Sequence, residues 1–193
     1  MLTALFRALG ALGVTQFFFP LVVLQAGLYA LGMRSALRIA RRLGGARAEI
    51  LTVMMLAVCL PLVLAAGVLY TDTFSLPFIL MALDLALCAR DAGTAKGQIG
   101  YAAVCGAVTL IGCQIKMTVL IALIAAGIIW LMAMKPMRSV VSIALCGAMI
   151  FAGTTAVKGY MLGHVLDPKV YAQEHTPVIH WVMTVSYTHL TLP

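Results

Sequence analysis

Long apolar runs alternate with short polar clusters along this chain, and that alternation restricts what it can fold into more than any other feature. Six apolar segments can be read, at residues 11–33, 49–70, 74–89, 98–115, 117–134 and 139–157. A helix crossing roughly 30 Å of hydrocarbon needs about 20 mostly apolar residues. With 63% hydrophobic and 10% charged residues and a mean hydropathy of +1.07, the chain carries more apolar surface than a soluble domain buries. The expected fold class is all-α, a polytopic transmembrane helix bundle with about six spanning helices in one domain, residues 1–184.

The net charge of +7 does not point to nucleic acid, because the basic residues sit in short connections between apolar runs, where they set topology. Arg34, Arg38, Arg41, Arg42 and Arg47 fall in the expected loop 34–47. Arg90 and Lys96 fall in 90–97, and Lys135 and Arg138 in 135–138. These nine lie on one face, against Arg7, Lys116, Lys158 and Lys169 on the other. By the positive-inside rule the first face is cytoplasmic, in a multi-pass protein of a bacterial plasma membrane. The five cysteines, Cys59, Cys88, Cys105, Cys113 and Cys146, all lie in apolar segments without a CxxC pair, and read as small buried hydrophobes.

Both ends are unusual. The run from Ala8 to Gly32 is too long for a signal-peptide core and lacks a small-residue cleavage site, yet the orientation starts the chain outside, so a helix upstream of Met1 is expected. Residues 185–193, Val-Ser-Tyr-Thr-His-Leu-Thr-Leu-Pro, closely resemble the translated read-through of a transposon-type sequencing adaptor and are set aside as one sets aside a tag.

Charged groups near a bilayer are costly and invite a functional reading. Asp72, in Tyr-Thr-Asp-Thr at 70–73, begins a helix on the extracytoplasmic face. There it is placed to bind a divalent cation, orient a hydroxyl or act as a base. The competing reading is a helix cap, since Thr71, Asp72 or Thr73 suits an N-cap ahead of Phe74. Lys116, in Ile-Lys-Met-Thr at 115–118, stands at the outer boundary between two apolar runs. A compact ammonium with three donors suits a lipid-linked phosphate, and the competing reading is snorkelling to headgroups.

Asp84 lies within an apolar run. Eight Leu, Ile and Phe residues there supply roughly −2.4 to −4.8 kcal/mol of insertion free energy against about +2.5 to +3.5 for a central Asp. It is expected to be structural, hydrogen-bonded to another helix or close to a cytoplasmic arginine. Residues 158–181 hold His164, Asp167, Lys169, Glu174, His175 and His180 at spacings that match no metal signature, so no metal site is assigned. Within them Pro-Val-Ile-His-Trp at 177–181 reads as a re-entry to the membrane interface with a substrate-facing edge at His180, or as a solvated loop.

Taken in order, an arginine-rich stretch closing in Ile-Ala-Arg-Arg-Leu-Gly-Gly at 39–45, then 70–73, then 115–118, then 177–181 resembles the polytopic glycosyltransferases of the GT-C type. The bacterial relatives of protein mannosyltransferases and aminoarabinose transferases are the nearest likeness. The resemblance implies a membrane enzyme that takes a sugar from a polyprenyl-phosphate donor and passes it to a protein or glycan acceptor outside the cytoplasm. It places Lys116 near the donor phosphate, Asp72 beside the acceptor or a divalent cation, and His180 among the substrate-binding candidates. The family's principal catalytic acid lies upstream of the matched region, so no residue here is assigned that role and the chain is expected to be an inactive fragment. Met117 departs from the proline that often follows the family's lysine, which alters the expected local bend. From other classes, a transporter or flippase of lipid-linked saccharides would show inverted repeats, which are not evident, and a structural membrane subunit would use its charges only for pairing.

Overall fold

A computed structural model describes residues 18–59 and 70–164. The described residues are helical without strands: α1 (Phe18–Val58), α2 (Thr71–Asp91), α3 (Ala95–Cys113), a single 3₁₀ turn (Met117–Val119), α4 (Leu120–Ala133) and α5 (Pro136–His164). The chain divides into two compact units, residues 1–154 and 155–193. In the second, the described residues are the last turns of α5. The first holds everything that follows.

Three helices, Phe19–Val58, Thr71–Asp91 and Pro136–Met161, are long and apolar enough to cross a membrane, and Met117–Ala133 is a shorter apolar helix. These are compatible with a membrane protein, and they are fewer than the six apolar segments of the sequence. The difference has local causes. The segment at 117–134 gives up its first turn to 3₁₀ geometry. That at 98–115 belongs to a helix of 19 residues whose start carries Lys96 and Gln98, and 60–69 of the segment 49–70 lies outside the described residues.

The arginine-rich stretch 34–47, expected as a loop, is instead helical, interrupted only at Gly45, whose φ of 69° and ψ of −164° break α1 in two. Ala36, Leu37, Ala40 and Leu43 alternate there with arginines, all strong helix formers, so nothing before Gly45 stops propagation. Glycine alone adopts that backbone without a Cβ penalty.

Before the break, α1 buries a stripe at spacings of three and four: Leu21, Gln25, Tyr29, Gly32 and Ser35. The stripe faces α2 and continues into Arg38 and Arg42. Matched pairs fix the direction. Gln25 donates to Thr73 across 3.4 Å, Gly32 lies against Pro77, and Arg42 reaches Asp91 at 3.8 Å. Residue numbers rise together, so α1 and α2 run parallel. α3 returns antiparallel along α2, with the Cys105 thiol donating to the Ala82 carbonyl at 3.3 Å and Gly112 against Phe78. The centre is an α2 face of small residues, Ala82, Ala86 and Ala89, packed with Ala102, Cys105, Ala126, Trp130 and Cys146. Small residues let helix backbones approach where apolar burial alone gives no drive to associate, as in lipid. The Trp130 indole, fully buried on α4, donates to the Ala86 carbonyl at 3.0 Å.

The tightest approach gives a prediction. A Cβ on Gly32 would sit 2.9 Å from Pro77 Cα, whereas one on Gly27 of the same helix meets nothing within 4 Å. Gly32→Val should therefore lower thermal stability in detergent by about 1 to 3 kcal/mol or more. Gly27→Ala should be neutral or gain up to about 1 kcal/mol of helix propensity. Equal melting of the two variants would show that α1 does not dock on α2 at this point.

Candidate functional site

The helix directions sort polar residues to two ends of the first unit. At one end are Arg38, Arg42, Asp84, Cys88 and Asp91, joined by the α2–α3 connection and by Arg138, which donates to Gln98 Oε1 at 3.2 Å. At the other are the start of α2, the end of α3 and the 3₁₀ turn.

That second end brings together two sequence candidates 44 positions apart: the Lys116 Nζ donates to Asp72 Oδ1 in an ion pair. Local sequence explains both placements. Asp72 lies in the first turn of α2, where a carboxylate complements the helix dipole. The expected cap is corrected: the N-cap is Tyr70, ahead of the Thr-Asp-Thr triplet, and Thr73 closes the turn with its hydroxyl, accepting from Tyr70 N at 3.3 Å and donating to Tyr70 O at 2.7 Å. Asp72 thus keeps its carboxylate for Lys116. Lys116 is itself the N-cap of the 3₁₀ turn, with extended backbone (φ −151°, ψ 128°), and its amide donates to Gly112 O at 2.9 Å. The turn is tight because Gly112 has no side chain: a Cβ there would meet Val119 at 2.8 Å and Phe78 at 2.9 Å. A bend forms at this lysine without the proline that the resemblance leads one to expect.

The pair is water-accessible, with 50% of the Asp72 and 31% of the Lys116 side chain exposed. An exposed lysine–carboxylate pair contributes about 0 to 1 kcal/mol to stability, so the two groups can exchange each other for a ligand at little cost. Lys116 has two further protons to donate and Asp72 a second oxygen to accept. Sequence reading named both residues but did not join them. Beneath them Gln25, fully buried on α1, reaches Thr73 of α2, a neighbour it missed and which the stripe from Leu21 to Gly32 signals.

The other end carries Asp84, 4% exposed, held by Arg38 at 3.1 Å and Arg42 at 3.7 Å. Both arginines also donate to the Cys88 Sγ, at 3.3 and 3.0 Å. Asp84 thus sits between helices and beside arginines, as its cost in an apolar run requires. Asp84, Cys88 and Asp91, at i, i+4 and i+7, present one edge of α2 to the matching arginines of α1.

His180 lies outside the described residues, as do residues 1–17 and the adaptor-like tail 185–193. Among the described residues no three His, Cys, Asp or Glu side chains gather in a way that could hold a metal ion. The chain matches no protein-family model, no curated protein and no solved structure.

Proposed function

We propose that this chain is the membrane part of a glycosyltransferase that draws a sugar from a polyprenyl-phosphate donor on the extracytoplasmic side and passes it to a protein or glycan acceptor. The observation that carries this reading is the meeting of Asp72 and Lys116 at the end of the bundle opposite the arginines. Lys116, from the turn after α3, supplies a compact charge for the donor phosphate, and Asp72, from the start of α2, an acceptor for the incoming hydroxyl. An ammonium against the carboxylate disfavours a divalent cation at Asp72, so phosphate is the better ligand for the pair. The deciding measurement is transfer of radiolabelled sugar from polyprenyl phosphate by membranes carrying the full-length protein. Transport of the intact lipid-linked saccharide without bond cleavage would replace this reading with that of a flippase.

The same reading holds the chain to be a multi-pass protein with about six crossings. The parallel course of α1 and α2 supports that number. Arg42, beside Asp91, and Tyr70 lie at opposite ends of a helix of 21 residues, roughly 30 Å and so about one membrane thickness apart. The orientation can be checked with single cysteines. Cys88, Cys105, Cys113 and Cys146 are buried as expected, whereas Cys59, also expected to be buried, is exposed just past the end of α1, so Cys59→Ala gives a silent background. In intact cells an impermeant thiol reagent should label Met117→Cys and leave Gly93→Cys untouched. The reverse pattern would invert the topology.

A further inference from the structure

The arginine end carries more charge than its own pairings use. Nine basic residues gather in or beside it, Arg34, Arg38, Arg41, Arg42, Arg47, Arg90, Lys96, Lys135 and Arg138, against three acids, Glu49, Asp84 and Asp91. Among the described residues all three acids are engaged: Asp84 by Arg38 and Arg42, Asp91 by Arg42 and Arg90, and Glu49 by Arg41 at 3.6 Å. Arg47, Lys96 and Lys135 are exposed and have no carboxylate within ion-pair distance among the described residues, and Arg41 remains 69% exposed beside its partner. Among the described residues an excess of six positive charges is left on one end of the bundle.

We infer that this end is a binding surface for anionic phospholipid headgroups of the cytoplasmic leaflet. The inference rests on the membrane reading above but not on the transferase chemistry. Depth argues for lipid. Arg38 and Arg42 lie level with the last two turns of α2, and a helix of 21 residues, about 31 Å long, brings those turns to the phosphate layer when its start lies at the opposite interface. Arg41 and Arg47 lie on α1, Lys96 at the start of α3 and Lys135 between α4 and α5, so the excess charge comes from separate elements of the fold. Charge drawn from several elements and in excess of its carboxylate partners suits many headgroups at once better than one soluble ligand. Just past Gly45 the surface turns apolar, with Ile50, Leu51, Met54 and Met55 all more than half exposed, as befits acyl-chain contact next to a charged rim. Juxtamembrane basic residues gain about fivefold in affinity for an anionic surface per residue, an effect that salt screens.

The test uses the whole protein reconstituted in phosphatidylcholine vesicles containing spin-labelled phosphatidylglycerol or spin-labelled phosphatidylcholine. The fraction of motionally restricted label reports the lipid in direct contact. Wild type should select phosphatidylglycerol by about fivefold or more, and high salt should erode that preference. The combined variant Arg41→Gln, Arg47→Gln, Lys96→Gln and Lys135→Gln avoids the Asp84 cluster and should lose most of the selection, while Arg41→Lys with Arg47→Lys keeps it. Equal restriction of the two lipids by wild type would overturn the inference, as would full selectivity in the glutamine variant. Displacement of labelled lipid by inorganic phosphate or glycerol phosphate beyond that caused by sodium chloride at equal ionic strength would also overturn it, by making this a soluble-phosphate site.

Discussion

Replacing Lys116 by methionine is expected to cut use of a polyprenyl-phosphate donor by roughly tenfold to over a hundredfold while leaving the protein folded and inserted. The size follows from the loss of a charge-assisted contact to phosphate in a partly dry site, about 1.5 to 3 kcal/mol. Folding should survive because the pair that Lys116 makes with Asp72 is water-accessible, and such pairs are worth at most about 1 kcal/mol. Methionine is at home at a helix boundary in lipid and does not disturb Gly112 or Val119, whose packing sets the turn. Asp72→Asn separates the two roles: it keeps the shape, abolishes the anion and leaves the Thr73–Tyr70 cap untouched. If Asp72 accepts from the acceptor hydroxyl, this variant loses turnover at saturating donor. If Asp72 only parks Lys116, donor affinity improves instead, since the ammonium is released from its partner. Transfer of labelled sugar in membranes at matched expression, with donor varied, distinguishes these outcomes. Wild-type kinetics in both variants would reduce the pair to a surface ion pair and remove the basis of the proposed function.

How far the sequence could be read depended on whether the relevant force acts locally. Apolar segments announce helices because burial in lipid needs only composition over about 20 residues, and all the described segments are helical. Gln98 and Thr94 at the start of α3 are similarly local, the Thr94 hydroxyl capping Gly97 N at 3.1 Å. The arginine stretch misled because charge suggests a loop, while helix propensity and a partner for those charges decide otherwise. That partner, the Asp84–Cys88–Asp91 edge, is more than forty positions away. The parallel pairing of α1 with α2 and the junction of Asp72 with Lys116 are of the same kind. Each is set by how helices cross, and crossing is governed by small contacts such as Gly32 on Pro77 that no window of sequence exposes. The Asp84 assignment succeeded for a different reason: the energetic penalty of a buried carboxylate is large enough to demand a nearby cation whatever the topology.

That demand makes the Asp84 cluster the place where stability should be most sensitive to charge. Arg38→Met combined with Arg42→Met is expected to destabilise the protein by about 3 to 5 kcal/mol, because it leaves a 4%-exposed carboxylate without either cation within 4 Å. The single arginine variants should cost much less, as each leaves Asp84 one partner. Asp84→Asn alone should also be mild: the two guanidinium groups, 43% and 27% exposed, keep water and the Cys88 sulfur as partners. The decisive comparison is the triple variant, Asp84→Asn in the double-arginine background. Removing the stranded anion should restore most of the lost stability even though three native charges are gone. Seven basic residues remain at that end, so orientation is retained. Stability can be followed by heating detergent-solubilised protein lacking Cys59 and recording alkylation of Cys105, Cys113 and Cys146, all buried and outside the cluster. A triple variant no more stable than the double would mean that the arginines act through packing along α2 and not by compensating Asp84. A double variant that melts with wild type would mean that Asp84 carries no charge in the folded protein.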